Sequence, residues 1–418
     1  MKIWIPKNRE DLRKHLSDPL FKNAYFLMLS SITSAGSGFF FWLIAARFYS
    51  AEDVGLASAI ISAMNFILIL SLLGFDISLI RFLPERKDKV KFINTCFTIS
   101  SIVSFSLALI FITGINIWSP SLSIMIEKKM FLFLFFLYTS VIPLASLQSR
   151  GIFVGFRKAE YSFILTVVTF ARIGILPFLT TFGALGIYLS YGLTPLLAFL
   201  IGIFLISRIL PYKPIPTVRK DIINEIFHYT LGNYIAGIFQ FLPNVILPIM
   251  VLNVLGAEQN AYFFIAWSVS NLLAIIPGAV STSLLAEGSY EYEKLEWNIR
   301  KAVMFTFVLI GVGILTIFIL GDRILWIFGE KYAEKSFDIL KVLVLGAVPF
   351  SANTIYAYVK RVQKEIKPVI FVYSCISILT LVGSYLLMTK YGIIGVGFAW
   401  VLANFIVTFF ILLRGAYF

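Results

Sequence analysis

The sequence predicts an all-α integral membrane protein of twelve transmembrane helices, and three observations carry that reading. Of the 418 residues, 59% are apolar and 14% charged, against roughly 45–50% and about 25% in soluble chains. Charge-free runs recur along the whole chain, nearly all close to the ~20 residues of helix that a bilayer core takes. The basic residues between those runs fall on alternate sides. A mean hydropathy of +0.90 with 42 Phe excludes a soluble enzyme, a nucleic-acid binder and a disordered scaffold. The net charge of +13 then belongs to membrane topology or to an anionic partner. Cys96 and Cys375 lie inside apolar runs, so they read as core residues rather than a disulfide framework or metal cluster.

In chain order, the runs without Asp, Glu, Lys or Arg are 23–46, 54–75, 92–126, 130–149, 173–207, 229–257, 259–286, 302–321, 342–359, 368–389 and 391–413. The run 173–207, with 161–171 before Arg172, is too long for one helix. Gly183 and Gly186 stand where a hairpin would fall, so it divides into spans over 160–181 and 184–208. Run 92–126 ends in Thr113, Gly114, Asn116, Ser119 and Pro120, a turn-rich exit that leaves one span. The longest outer loops are expected at 115–130 and 321–336. Residues 8–20, NREDLRKHLSDPL, are expected to lie along the inner surface, with Trp4 and Ile5 as interfacial anchors. No cleavage site follows the first apolar run, so it reads as a retained helix rather than a signal peptide.

Alternating the sides puts 26 Lys and Arg with the two termini and 7 on the opposite side; Arg172 and Lys341, inside spans, complete the 35. Cytoplasmic loops carry such an excess, so both termini are expected in the cytoplasm of a multi-pass plasma-membrane protein.

The chain also repeats. YSAEDVGLASAIISAMNFILILSLLGFDISLIRFLPE from Tyr49 falls on LGAEQNAYFFIAWSVSNLLAIIPGAVSTSLLAEGSYE from Leu255, and Gly183-Ala-Leu-Gly-Ile falls on Gly392-Ile-Ile-Gly-Val. Six spans per repeat is an even number, so the halves share one orientation, related by a pseudo-twofold axis along the membrane normal. The expected division is an amphipathic N-terminal segment 1–22, a first lobe 23–210, a cytoplasmic linker 211–227 stiffened by Pro211, Pro214 and Pro216, and a second lobe 228–418.

AARFYSAEDVGLASAI after the first span, LLGFDISLIRFLPE closing the second, GDRILWIFGEKYAE between the ninth and tenth, and YGIIGVGFAWVLANF opening the twelfth resemble the oligosaccharide flippases of the multidrug/oligosaccharidyl-lipid/polysaccharide (MOP) superfamily. The resemblance covers essentially the whole chain. It implies the MATE-like fold of that superfamily and an alternating-access carrier, not an enzyme. The implied cargo is an oligosaccharide on a polyprenyl phosphate or pyrophosphate, moved from the cytoplasmic to the outer leaflet for polysaccharide biosynthesis. It implies no cofactor, leaves H⁺ or Na⁺ coupling open, and points to a monomer working alone or beside a polysaccharide polymerase or glycosyltransferases.

Charges inside spans single out candidate site residues. Arg172 stands about 12 residues, or about 18 Å, into the fifth span, where a charge costs roughly 2.5–3.5 kcal/mol on insertion scales. It is expected either to complete a structural pair or to grip phosphate, which the fixed guanidinium donors match two at a time. Asp76 lies about 7–8 Å deeper than Arg81, and on a continuous helix Asn65 shares its face within about 20°; Asp76 reads as a partner of Arg172, part of an ion site, or bonded to Asn65. The repeat sets Glu287 on Arg81, so these two are read as a cytoplasmic gate, or as plain helix-end charges.

Asn233, Gln240 and Asn244 follow i, i+7, i+11 on one helical face, with Pro243 and Pro248 beside them and Asn271 and Pro277 in the next span. Such prolines mark kinks whose freed carbonyls line cavities, and neutral amides suit sugar hydroxyls, although they also glue helices together. Ser30, Thr33, Ser34 and Ser37 read as a packing face. Lys341 reads as snorkelling from the start of the tenth span, and neither His15 nor His228 has a partner suggesting catalysis.

Competing functions fit less well. MATE-type cation-coupled multidrug exporters resemble the chain in fold, but the proton-coupled kinds carry an acidic residue in the first span, and 23–46 has none. Peptidoglycan-precursor flippases usually have fourteen spans. The chain lacks the Gly-Arg-Arg pattern of major-facilitator carriers. A membrane glycosyltransferase or polymerase needs catalytic carboxylates and a large outer loop, and no DxD, phosphate loop or His cluster occurs.

Overall fold

A computed structural model describes residues 19–84, 86–127, 129–290, 295–363 and 365–413. Among these residues all regular structure is helical, and twelve helices are long and apolar enough to cross a membrane. They are α1 (Pro19–Phe48), α2 (Ala51–Leu72), α3 (Lys89–Thr113), α4 (Lys129–Gly155), α5 (Ala159–Phe182) and α6 (Ala184–Ile209). The second set is α7 (Lys220–Leu255), α8 (Ala257–Tyr290), α9 (Leu295–Trp326), α10 (Glu330–Val362), α11 (Ile366–Tyr391) and α12 (Ile393–Leu413). The divided run 161–207 forms two spans as the sequence requires. The N-terminal surface segment falls on residues outside the described set, apart from its last four.

An even number of spans returns the chain to the side it started from. The end of the bundle holding the termini is here the basic end, the other the far end. At the far end, four turns rest on single glycines with positive φ: Gly183 at 53°, Gly256 at 91°, Gly329 at 143° and Gly392 at 59°. Only glycine takes such angles without steric cost. Gly183 and Gly392, equivalent in the repeat, also share ψ, −136° and −146°. The Gly186 N–H bonds back to the Gly183 carbonyl as Gly395 does to Gly392, at 2.9 and 3.1 Å.

Three expectations change. Leu73 and Gly74 both take left-handed angles, φ 50° and 73°, so α2 stops and Phe75–Phe82 forms a separate short helix. Asn65 and Asp76 therefore do not share the face that an unbroken helix would give them. The expected loop 321–336 contracts to residues 327–329 between α9 and α10, because the charged stretch from Glu330 is the amphipathic first half of α10. Lys341 lies inside that helix, paired with Asp338 at 2.7 Å and set over the Phe337 ring. α7 begins at Lys220, within the stretch read as linker. The Arg219–Asp221 pair there, at 2.9 Å, holds the Asp221 carboxyl down at about 2, chiefly through its hydrogen bond to Arg219. The proline-rich segment before α7 runs along α3, where Asn94 donates to the Lys213 carbonyl and Thr98 accepts from the Thr217 N–H, both at 2.9 Å.

Across the halves, α2 packs on α7 and α8. Gly55 makes this possible: a Cβ there would stand 1.7 Å from the Ala257 carbonyl oxygen and 3.1 Å from the Ala261 nitrogen. One continuous core joins Phe41, Ile60 and Met64 to Leu252, Ala266 and Leu343. Outward faces stay apolar, as lipid requires; α9 presents Ile319, 72% exposed, and Met304, 68%.

Candidate functional site

Between α1 and α8 lies a cavity of about 290 Å³, bordered by Ser34, Gly38, Phe39 and Trp42 on one side and Ser268 and Asn271 on the other. Among the described residues, none that lines it is charged. Leu272 and Ile275, on its α8 wall, are 41% and 53% exposed, so that wall is not sealed within the bundle.

The far end is shut. Trp42 meets Phe264 edge-on at 4.5 Å, and Phe39 meets Phe328 at 5.4 Å. Arg47, in the last turn of α1, donates to the Ile327 and Trp326 carbonyls at 2.5 and 2.7 Å and sits over the Trp326 ring. Those carbonyls end α9, where the helix dipole favours a cation. Asn253 of α7 donates to the Trp118 carbonyl at 2.9 Å and accepts from Ser119 at 3.1 Å. Asn260 of α8 donates to the Gly55 carbonyl at 2.7 Å and to Ser58 at 3.0 Å.

The corner beneath is braced from within the first half. Ser50 caps α2 by accepting from the Asp53 N–H at 3.1 Å, while Asp53 accepts from the Ala184 N–H at 2.8 Å and so caps α6. Tyr49 donates to the Leu176 carbonyl at 2.7 Å. Burial, with the Asp53 carboxylate second, pushes its phenol up to about 12.

The amide stripe divides. Asn244 accepts from Asn271 at 3.2 Å and from the Trp267 indole at 3.0 Å, so these two predicted residues meet, and Asn271 also lines the cavity. Gln240 is half-buried along α7; the Asn233 side chain lies outside the described set. Arg172 reaches Ser37 of α1 at 2.9 Å and is held 5.1 Å from the rings of both Phe41 and Tyr191. It is thus seated among α1, α5 and α6, not against Asp76, and its Nε has no hydrogen-bond partner among the described residues. Asp76 stands half-buried in the first turn of Phe75–Phe82, its backbone against Gly151 of α4, which carries a π-helical turn at Leu147–Ile152. Asn65 is half-buried on α2. The side chains of Arg81, Glu287 and His228, and all of His15, lie outside the described set.

Sequence reasoning missed Arg47, Asn253 and Asn260, the polar links across the far end. Arg47 could have been flagged as the only basic residue between the first two spans. A second amide group, Asn353 and Asn404 with Thr408, is wholly internal to α10 and α12, Asn353 donating to the Asn404 carbonyl at 3.0 Å. Among the described residues, no three of His, Cys, Asp and Glu come together as a metal site.

Residues 20–286 match the family model described as polysaccharide biosynthesis protein. A putative O-antigen transporter from Shigella flexneri is 27% identical over 206 residues, which are 44% of this chain and 47% of that relative. The match thus spans about half the length of the relative. Among solved structures, the lipid II flippase MurJ in an inward closed conformation aligns with a TM-score of 0.77 at 16% identity, covering 94% of this chain and 87% of that one. An inward-facing multidrug resistance MATE family transporter of the MOP superfamily aligns at 0.69 and 16%, covering 93% of each. At these identities the likeness is one of fold.

Proposed function

The chain belongs to the polysaccharide biosynthesis protein family, and from that premise we propose that it flips a polyprenyl-(pyro)phosphate-linked oligosaccharide from the cytoplasmic to the outer leaflet. The basic end is cytoplasmic, and α1–α6 and α7–α12 act as two lobes about an axis along the membrane normal. Gly55 packing on Ala261, its counterpart at the repeat offset of 206 residues, supports that axis.

The observation that carries the reading is the α1/α8 cavity, bounded towards the far end by Trp42 and Phe328 and lined by two serine hydroxyls, the Asn271 amide and the Trp42 indole among apolar side chains. Sugars offer hydroxyls and apolar ring faces, and such walls answer both; an organic cation would find no carboxylate there among the described residues. Arg172 takes the phosphate, for which its unpaired Nε and the absence of a carboxylate partner among the described residues are the support. Arg81 and Glu287 close the cytoplasmic end in the outward-open state, and Asp76 and Asn65 attend that gate or a coupling ion. A membrane potential suffices energetically: a cargo of charge near −2 gains roughly 4–5 kcal/mol moving outward through 100 mV, inside negative.

The test is binding. Purified protein should gain thermal stability from a polyprenyl-pyrophosphate oligosaccharide, less so as Asn271→Ala and least as Arg172→Ala. Stabilisation by lipophilic cations, with none from the lipid-linked sugar, would favour an exporter instead.

A further inference from the structure

A second cavity, of about 380 Å³, lies away from the lobe interface, between α10, α11 and α12. Tyr356, Pro368, Phe371, Val372, Phe410 and Ile411 form an apolar wall, and Lys367 stands at its mouth. Lys367 is in the first turn of α11 and Phe410 near the end of α12, so the cavity sits at the basic end, at the level where hydrocarbon gives way to headgroups. Phe371 and Phe410 are 53% and 56% exposed, which turns its opening towards lipid. Local charge is one-sided: residues 360–367 hold four Lys or Arg and one Glu. That carboxylate, Glu365, is taken by Lys360 at 3.1 Å, and Arg361 is set over the Tyr358 ring. Lys367 has no acidic partner among the described residues.

A cation at the headgroup level above an apolar slot with room for roughly a dozen water-sized groups matches one kind of molecule. We propose that this cavity holds an anionic phospholipid, with its phosphate on Lys367 and an acyl chain between Phe371 and Phe410. The site is separate from the α1/α8 cavity and does not depend on what that cavity carries.

Native mass spectrometry of the full chain, released from neutral detergent with equal phosphatidylglycerol and phosphatidylcholine, tests it. The first bound lipid should be phosphatidylglycerol. Lys367→Ala should lower its occupancy by about fivefold, the worth of one basic side chain at a membrane surface; Phe371→Ala, on an exposed ring, should also lower it. Lys301→Ala, at the same end but stacked on Trp297, should change nothing. Equal retention of the two lipids, an equal loss with Lys301→Ala, or displacement by millimolar inorganic phosphate would overturn the proposal. So would binding that appears only after removal of residues 414–418, since the occupant would then be the chain itself.

Discussion

Asn271 is the residue through which the cavity wall is organised, since its amide fixes Asn244 while Trp267 holds the same oxygen from the other side. Removing one neutral hydrogen bond to a substrate costs about 0.5–1.5 kcal/mol, so Asn271→Ala should slow initial translocation by roughly 2- to 10-fold, read in proteoliposomes. Tyr49 gives a prediction independent of cargo. Its pKa, about 12 when folded, exceeds the roughly 10 of an unfolded tyrosine. Its contribution is therefore whole below pH 10 and fades as pH rises through 12. Tyr49→Phe should lower Tm by roughly 1–2 °C, equally at pH 6 and 9, with the gap narrowing above pH 10. Asn244 and Asn271 are visible in the sequence as polar residues inside apolar spans, but their pairing across α7 and α8 is not, because helical spacing relates residues of one helix only. Arg47 stands out in the sequence as a lone basic residue, but its role does not, since its partners are backbone carbonyls 279 and 280 residues away and carbonyls leave no trace in residue identity.

At the scale of elements, the α2–α8 crossing and the far-end clasp set which side of the bundle is shut. Gly55→Ala would drive a methyl group into the Ala257 carbonyl and should cost about 1–3 kcal/mol as overpacking, seen as a lowered Tm. Gly36→Ala, where a Cβ meets nothing within 4 Å, should be neutral or slightly stabilising. Arg47→Ala should loosen the far end. With Cys96 and Cys375 replaced and Ser268→Cys placed at the cavity, a membrane-impermeant thiol reagent added from the far side should then label several-fold faster. The number and order of spans are legible because a bilayer demands uninterrupted apolar helix. The break at Leu73–Gly74 is less so: Gly74 is a visible signal, but the left-handed Leu73 depends on packing of the next helix against the glycines of α4. The missing 321–336 loop follows from reading charge as loop, where an amphipathic helix at the membrane edge carries charge as well.

For the whole molecule, the proposed cycle moves a closure from one end to the other. If Arg81 and Glu287 form the cytoplasmic closure, Arg81→Glu and Glu287→Arg should each reduce transport, and the double exchange should restore much of it; failure of the exchange together with normal folding would remove the gate. The claim on which all this rests is that the cargo is a lipid-linked oligosaccharide. Reconstituted protein and a fluorescent polyprenyl-pyrophosphate oligosaccharide test it directly, by the fraction of label that becomes accessible on the opposite leaflet. The account predicts protein-dependent translocation, faster with the potential negative on the basic-end side and strongly reduced in Arg172→Ala. Translocation no faster than in empty liposomes, while organic cations are moved, would contradict it.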